Sequence, residues 1–335
     1  MKADYQPAPT RYENGIQYRR CGNSGILLPE VSLGLWKNFG ETTPYNRCKE
    51  IICHAFDKGI THFDLANNYG PPYGSAEETF GQVLKDCLQL YRDELFISTK
   101  AGYDMWLGPY GNWGSRKYLI ASLDQSLKRM GLEYADLFYS HRFDPETPLE
   151  ETLQALVDIV RQGKALYVGI SRWPLKATQF AFDYLKNHNV PCLIYQGRLN
   201  MLDRSPVKEG ILDLIKKHQT GFISFSPLAQ GLLTDRYLKG IPEFSRMKKE
   251  SSLTPNALTS ERLQMLQALN MLAKERGETL AQTALAWILR HEGITSVLVG
   301  ASSVEQLDRN IDTVNASPFT IEEIKYIDHL TMISK

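Results

Sequence analysis

The chain has 335 residues, of which 43% are hydrophobic and 23% are charged, and its 38 basic residues balance 38 acidic ones. This composition is typical of a globular protein with a sizeable core, and a net charge of zero gives no electrostatic reason to expect nucleic acid or an anionic membrane as a partner. The five cysteines are odd in number and include no CxxC pair, which favours free thiols in a reducing compartment.

Neither an export signal nor a membrane span is expected. Residues 1–10 carry polar side chains and prolines where a secretory signal needs an apolar run, and no stretch of about eighteen apolar residues occurs. The sequence therefore predicts a cytoplasmic protein.

The chain alternates between two kinds of apolar pattern. Residues 22–25 predict a turn in a small hairpin that precedes the first long strand. Short runs rich in β-branched and aromatic residues then alternate with longer segments that have apolar residues at helical spacing. The predicted strands are residues 31–36, 61–66, 94–100, 135–141, 165–171, 192–196, 221–227 and 295–300.

Helices are predicted between these strands. Residues 119–130 and 149–161 each carry an apolar stripe along one face. Gly59, Gly131 and Gly163 follow helical segments, at the position where a helix commonly ends on a glycine.

Eight β/α units favour a closed (β/α)8 TIM barrel that forms one domain over residues 1–335, with the N-terminal hairpin against the barrel floor. A doubly wound open sheet is the alternative, but the GxGxxG turn that such a sheet usually needs for a dinucleotide is absent. Residues 234–260 mix glycine, proline and lysine and predict a long loop after the seventh barrel strand, which favours a lid or a binding segment.

Polar side chains stand at three consecutive strand ends, which in a TIM barrel meet at the catalytic rim. Asp64 lies near the end of the second strand and Tyr69 just beyond it, Lys100 ends the third and His141 ends the fourth. A tyrosine is a reluctant proton donor at neutral pH, so Lys100 is predicted to stabilise the phenolate and Asp64 to keep that lysine charged. His141 is predicted to donate to a carbonyl oxygen. Each residue alone also fits a structural role, but together the four favour a site.

The sequence resembles the aldo-keto reductases over residues 18–330. The resemblance is carried by FDLANNYG at 63–70, STK at 98–100 and DLFYSH at 136–141. It implies that Asp64, Tyr69, Lys100 and His141 are catalytic, and that a hydride passes from NADPH to a small aldehyde or ketone while Tyr69 donates the proton.

The resemblance also implies an NADP site, with NADPH preferred and NADH as the alternative. Ser171 and Gln196 are implied to hold the carboxamide and Phe225 to stack on the nicotinamide. Ser302 is implied to hold the adenosine end at the start of the last helix, or else merely to cap that helix. The full implied set is Trp36, Asp64, Ser171, Gln196, Phe225, Ser226, Leu228, Gln230, Arg236, Ser302, Gln306 and Asn310.

Three further segments, NNYGPP at 67–72, KAGYDMW at 100–106 and GSRKY at 114–118, resemble the bacterial L-glyceraldehyde 3-phosphate reductase branch, which is akin to potassium-channel β subunits. This implies a short aldehyde such as glyceraldehyde 3-phosphate or a methylglyoxal-like compound. The cations expected to meet a phosphate, or else to remain solvated, are Arg116, Lys117 and Arg142.

Two other classes of function are weighed against an enzyme of this kind. A redox-sensing regulatory subunit that binds the cofactor is the alternative that the channel β subunits suggest. A metal-dependent hydrolase is disfavoured because the sequence has no HExxH motif, so no metal is expected. The expected partner is a small carbonyl compound, with no nucleic acid and no membrane, and a homo-oligomer stays open beside a monomer.

Overall fold

The structure is a computed structural model that describes residues 5–13, 15–243, 247 and 253–332. Its strands are β1 Tyr18–Arg20, β2 Leu27–Pro29, β3 Val31–Gly34, β4 His62–Asp64, β5 Phe96–Ala101, β6 Ala135–Ser140, β7 Ala165–Ser171, β8 Ile194–Arg198, β9 Gly221–Phe225 and β10 Ile294–Val299. Its α-helices are α1 Tyr45–Asp57, α2 Ser75–Val83, α3 Arg116–Met130, α4 Leu149–Arg161, α5 Leu175–Asn187, α6 Ser205–Lys208, α7 Ile211–His218, α8 Ser260–Glu275, α9 Leu280–Leu289, α10 Val304–Ile311 and α11 Ile321–Met332.

Strands β3 to β10 form a closed parallel barrel. Each strand pairs with the next along the chain, and β10 pairs with β3, placing Val297 opposite Val31. The predicted TIM barrel is therefore confirmed, and the open-sheet alternative is wrong because no barrel strand has a free edge. Strands β5, β6 and β10 have six residues each, and all of them are buried, since one face of each strand packs in the barrel and the other meets the helices.

Local signals set the ends of the helices. The Ser115 hydroxyl accepts a hydrogen bond from the Tyr118 amide, so α3 begins at Arg116, three residues before the predicted start. It ends at Gly131, whose φ of 67° is a left-handed conformation that favours glycine. Helix α4 spans the predicted residues.

The N-terminal hairpin closes the amino-terminal end of the barrel, as predicted. Strands β1 and β2 are antiparallel, and Leu28 packs with Leu137 and Ile223 in an apolar cluster. The Cys21 thiol lies 3.3 Å from the carbonyl oxygen of Leu193. At Gly221 a Cβ would come within 2.3 Å of that sulfur atom, so glycine is needed where the hairpin meets β9.

The predicted loop at residues 234–260 lies between β9 and α8. It contains short 3-10 turns at Asp235–Tyr237 and Pro255–Ala257, and its residues 244–246 and 248–252 lie outside the described part of the chain. Among the helices described, none combines the length and apolar character needed to cross a bilayer.

Candidate active site

The parallel register brings the four predicted catalytic residues to one rim of the barrel. Asp64 is the last residue of β4, Lys100 lies one residue before the end of β5, and His141 directly follows β6. Tyr69 lies in the loop between β4 and α2. These elements are neighbours in the barrel, so side chains far apart in sequence meet over the same end.

Lys100 and Asp64 form a buried ion pair. The lysine Nζ lies 2.5 Å from Asp64 Oδ2 and 2.5 Å from the carbonyl oxygen of Leu65, and its side chain has no exposed surface. Burial lowers the pKa of Lys100 below its ordinary value, while the negative charge of Asp64 acts to raise it. The other Asp64 oxygen, Oδ1, accepts from Ser98 at 2.7 Å and from Gln196 at 3.2 Å.

Tyr69 is half-buried beside this pair. The Lys100 ammonium lies 4.9 Å from the centroid of the tyrosine ring. Burial, followed by the negative charge of Asp64, raises the pKa of Tyr69 well above its ordinary value. The net shift is upward because burial, and after it Asp64, act against the phenolate, and the role of Lys100 in stabilising that phenolate stays a prediction. The phenol keeps its proton at neutral pH, as a proton donor must.

The surroundings of His141 favour its uncharged form. Burial lowers its pKa well below the ordinary value, and the positive charges of Lys100, Arg172 and Arg142 lower it further. Its ring meets the Tyr69 ring edge-on at 5.9 Å between centroids, and its Nδ1 is buried without a hydrogen-bond partner in the described residues. A neutral imidazole at this position can donate an N–H to a carbonyl oxygen.

Two other histidines, the buried His62 and the half-buried His291, make the stability depend on pH. Burial lowers the pKa of His62 and of His291 to about 4. An unfolded histidine has a pKa of about 6.5, so below that pH the unfolded state binds more protons and the free energy of unfolding falls as the pH falls.

We expect His291→Gln to remove one histidine's share of this dependence. Between pH 6 and 5, the free energy of unfolding should fall by about 1 kcal/mol less in the variant than in the unchanged protein. Urea denaturation at both values measures this difference. The exposed His329 provides the matched control His329→Gln, and equal pH dependence in all three proteins would contradict the prediction.

Several residues of the implied nicotinamide site lie at strand ends of the same rim. Ser171 ends β7 and stands opposite Gln196 of β8, and Phe225 ends β9. Trp36 lies two residues beyond β3, rather than within it as predicted, and its ring is 6.4 Å from the Tyr69 ring between centroids. These side chains therefore lie at the same end of the barrel as Tyr69 and Lys100, and Trp36 and Gln196 contact Tyr69 and Asp64 directly.

The loop after β9 carries three of the residues implied to line the pyrophosphate path, Ser226, Leu228 and Gln230. Ser226, Ala229 and Gln230 have φ values of 49°, 46° and 59°, which lie in the left-handed region. Leu228 is half-buried in this loop, and Arg236 is exposed in the following 3-10 turn. The contact of these residues with a pyrophosphate stays a prediction.

The implied adenosine end lies at the start of α10. The alternative in which Ser302 caps this helix is wrong, because the cap is Ser303, whose hydroxyl accepts from the Gln306 amide. The Ser302 amide and hydroxyl instead both donate to Gln306 Oε1, at 2.9 Å each. Helix α10 is also not the last helix, since α11 follows it. Asn310 is 3% exposed and its buried Nδ2 has no partner among the described residues, which fits a ligand with hydrogen-bond acceptors.

Of the three cations expected to meet a phosphate, only Arg142 has a contact beside the tetrad. Arg116 pairs with Asp158, and Lys117 lies over the ring of Tyr110. The Arg142 guanidinium lies 4.5 Å from the centroid of the Tyr103 ring.

Sequence reasoning missed Tyr103 and Arg172 as site residues. The Tyr103 ring meets His141 edge-on at 4.7 Å, and its hydroxyl accepts from Arg172 Nη1 at 2.9 Å. A signal was present, since Tyr103 and Arg172 closely follow the tetrad and cofactor strand ends at Lys100 and Ser171. Within the described ranges, no group of three histidine, cysteine or acidic side chains is placed to hold a metal ion.

Comparison with known proteins relates this rim to a described family. The model of the Aldo/keto reductase family matches residues 30–331. An L-glyceraldehyde 3-phosphate reductase of Escherichia coli is 56% identical over 324 residues, which are 96% of this chain and 93% of that protein. A probable voltage-gated potassium channel subunit beta of Arabidopsis thaliana is 35% identical over 309 residues, or 90% of this chain and 92% of the other.

A solved structure has the same fold. A thermostable aldo-keto reductase crystallised with the inhibitor epalrestat superposes with a TM-score of 0.73 at 28% identity, covering 94% of this chain and 100% of that one.

Proposed function

The chain belongs to the aldo/keto reductase family, and we propose that it is an oxidoreductase that reduces a small aldehyde or ketone to the alcohol with NADPH. The observation that carries the proposal is the buried Lys100–Asp64 pair, with the rings of Tyr69 and His141 packed together beside it on the same rim. Within one rim, these groups supply a proton donor, a positive charge and a hydrogen-bond donor.

Each catalytic side chain has a separate part in the proposed reaction. When bound, NADPH supplies the hydride. His141 donates a hydrogen bond that orients the substrate carbonyl oxygen, and Tyr69 gives its proton to that oxygen as negative charge develops there. Lys100 stabilises the phenolate that remains, and Asp64 keeps Lys100 charged in a buried place. A phenol of raised pKa suffices, because an alkoxide is a far stronger base than a phenolate.

The proposed cofactor contacts follow the geometry of the rim. Ser171 and Gln196 hold the carboxamide beside Trp36 and Asp64, and Phe225 stacks on the ring. The remaining contacts with the pyrophosphate and adenosine are Ser226, Leu228, Gln230, Arg236, Ser302, Gln306 and Asn310. Preference for NADPH over NADH is tested by the dissociation constants of both, measured by quenching of protein fluorescence.

The proposed substrate is a short aldehyde that carries a phosphate, as the name of the Escherichia coli relative suggests. Arg142 and Arg172 support this, because both act electrostatically on His141 and both contact Tyr103 beside it. Arg142 donates to the carbonyl oxygen of Gly102 and to Asn112, which are neutral acceptors. Neither guanidinium forms an ion pair within the described residues, so both charges can attract an anion.

We expect Arg172→Gln to weaken recognition of the phosphate selectively. Loss of one charge-assisted hydrogen bond should lower kcat/KM for glyceraldehyde 3-phosphate by about ten- to a hundredfold. The value for glyceraldehyde, which lacks the phosphate, should change little. Arg116→Gln is the matched control, because Arg116 pairs with Asp158. An equal loss for both aldehydes would contradict a role in binding the phosphate.

A regulatory subunit that senses the redox state of its cofactor is the second candidate, favoured by the similarity to the Arabidopsis protein. A turnover screen separates the two proposals. NADPH or NADH is mixed with short aldehydes, phosphorylated and unphosphorylated, and oxidation is followed at 340 nm. Multiple turnovers support the reductase, whereas tight cofactor retention with negligible turnover supports the sensor.

We propose further that residues 1–335 form one domain and that the protein acts in the cytoplasm. The five cysteines are unpaired and buried, which is consistent with a reducing compartment. Limited proteolysis and cell fractionation test these two points.

A further inference from the structure

A histidine that no assigned role explains lies in the middle of the barrel. His62 begins β4, has no exposed surface, and points to the same face of the strand as Asp64, two residues later. Its Nδ1 lies 2.9 Å from the hydroxyl of Ser32 on β3, and its Nε2 lies 3.0 Å from the hydroxyl of Ser98 on β5. The ring meets Phe96 edge-on at 5.5 Å, which fixes its plane.

This histidine is the centre of a chain of hydrogen bonds that ends on the catalytic carboxylate. Ser98 Oγ lies 2.7 Å from Asp64 Oδ1, and at the far end Ser32 Oγ lies 2.7 Å from Ser296 Oγ. The residues come from four neighbouring strands, β10, β3, β4 and β5, and all are buried. This series of hydrogen bonds therefore runs across the barrel interior beneath the Lys100–Asp64 ion pair.

The donors and acceptors in this chain can be assigned. The Asp64 carboxylate, paired with the Lys100 ammonium, only accepts, so Ser98 gives its single hydroxyl hydrogen to Asp64. Ser98 must then accept from His62, which places the imidazole proton on Nε2. The alternative acceptor for Ser98, the carbonyl oxygen of Phe63, is neutral and lies farther away, at 3.5 Å.

The donors and acceptors on the Ser32 side of His62 follow from the same count of hydroxyl and imidazole hydrogens. With its proton on Nε2, the neutral ring accepts at Nδ1 from the hydroxyl of Ser32. Ser32 has then used its hydrogen and accepts in turn from Ser296. Every hydrogen in this series of hydrogen bonds therefore points toward Asp64. This order requires a neutral ring, and burial keeps it neutral because it lowers the pKa of His62 to about 4.

We propose that His62 is a positioning residue that holds Asp64, and through it Lys100, in the geometry needed for catalysis. This inference rests on the proposed function. Without the imidazole N–H, Ser98 can turn toward Phe63, and Asp64 Oδ1 keeps only the longer contact with Gln196. Misplacement of a catalytic group by about 1 Å can cost about 10²-fold in rate.

The test compares variants that remove or restore the N–H. His62→Leu should lower kcat by at least about tenfold, with KM for NADPH and for the aldehyde within about twofold of the unchanged protein. His62→Gln should restore most of the loss, because its amide can accept from Ser32 and donate to Ser98. Thr283→Val removes a partly buried hydrogen bond to Glu278 that involves no residue linked to Asp64, so it should lower the melting temperature without lowering kcat.

Ser98→Ala keeps the inference testable if His62→Leu does not fold. Ser98→Ala removes the same link to Asp64. The double variant Ser98→Ala with His62→Gln should therefore have the same kcat as Ser98→Ala alone. Wild-type kcat in folded His62→Leu or Ser98→Ala would overturn the inference and leave the proposed function intact. Absence of turnover in the unchanged protein would instead refute the proposed function. In that case ¹⁵N NMR of the histidines decides the inference, which requires the His62 proton on Nε2 and fails if it lies on Nδ1.

Discussion

Replacing Tyr69 by phenylalanine should lower the turnover of a short aldehyde by about 10² to 10⁴-fold, the usual contribution of a general acid. The ring and its packing against His141 and Lys100 remain, so only the donated proton is lost. NADPH affinity should stay within about twofold of the unchanged protein, because the phenol has no proposed part in holding the cofactor. Steady-state kinetics and a fluorescence titration with NADPH measure the two quantities.

Tyr73 provides the control for this substitution. It lies in the same segment between β4 and α2 but is exposed, so Tyr73→Phe should leave turnover unchanged. Full activity in Tyr69→Phe would remove Tyr69 as the proton donor. Equal losses of turnover and of NADPH affinity would instead point to a collapsed site.

Replacing Lys100 by methionine should abolish most turnover and also destabilise the fold. The substitution leaves the Asp64 carboxylate, which is 2% exposed, without its ion-pair partner. Breaking a buried pair from one side costs about 3–5 kcal/mol of unfolding free energy, because the remaining charge stays buried. Urea denaturation of the variant measures this loss.

The double variant Asp64→Asn with Lys100→Met separates the effect of the unpaired carboxylate on stability from the effect of altered packing. With the charge removed as well, much of the lost stability should return, because replacing both partners of a buried pair is often nearly neutral. Turnover should stay low in the double variant, since the tyrosine still lacks its neighbouring cation. A double variant less stable than Lys100→Met would show that the carboxylate is not the source of the destabilisation.

The shared position of the candidate active-site residues could be predicted from the sequence because their signal is local. A barrel strand is short and ends at a turn, so a polar residue after an apolar run, such as Asp64 or His141, marks the rim by position alone. The helix at 149–161 was likewise predictable from its own apolar spacing.

The missed features depend on contacts between segments far apart in sequence. The partners of His62 are Ser32 and Ser98, 30 and 36 residues away, and Arg172 meets Tyr103 across 69 residues. No periodicity within one segment can show which hydroxyl faces which imidazole, because that depends on the register of neighbouring strands.

By itself, the sequence determined the order of strands and helices, the closed barrel they favour, and the reactive side chains at the strand ends. Only the tertiary structure decided the protonation of these side chains. The pKa of Tyr69 is raised rather than lowered, because burial and the charge of Asp64 both act on it in the folded chain. Desolvation and charge separation are properties of three-dimensional distances, so the residue types alone do not determine the direction of a pKa shift.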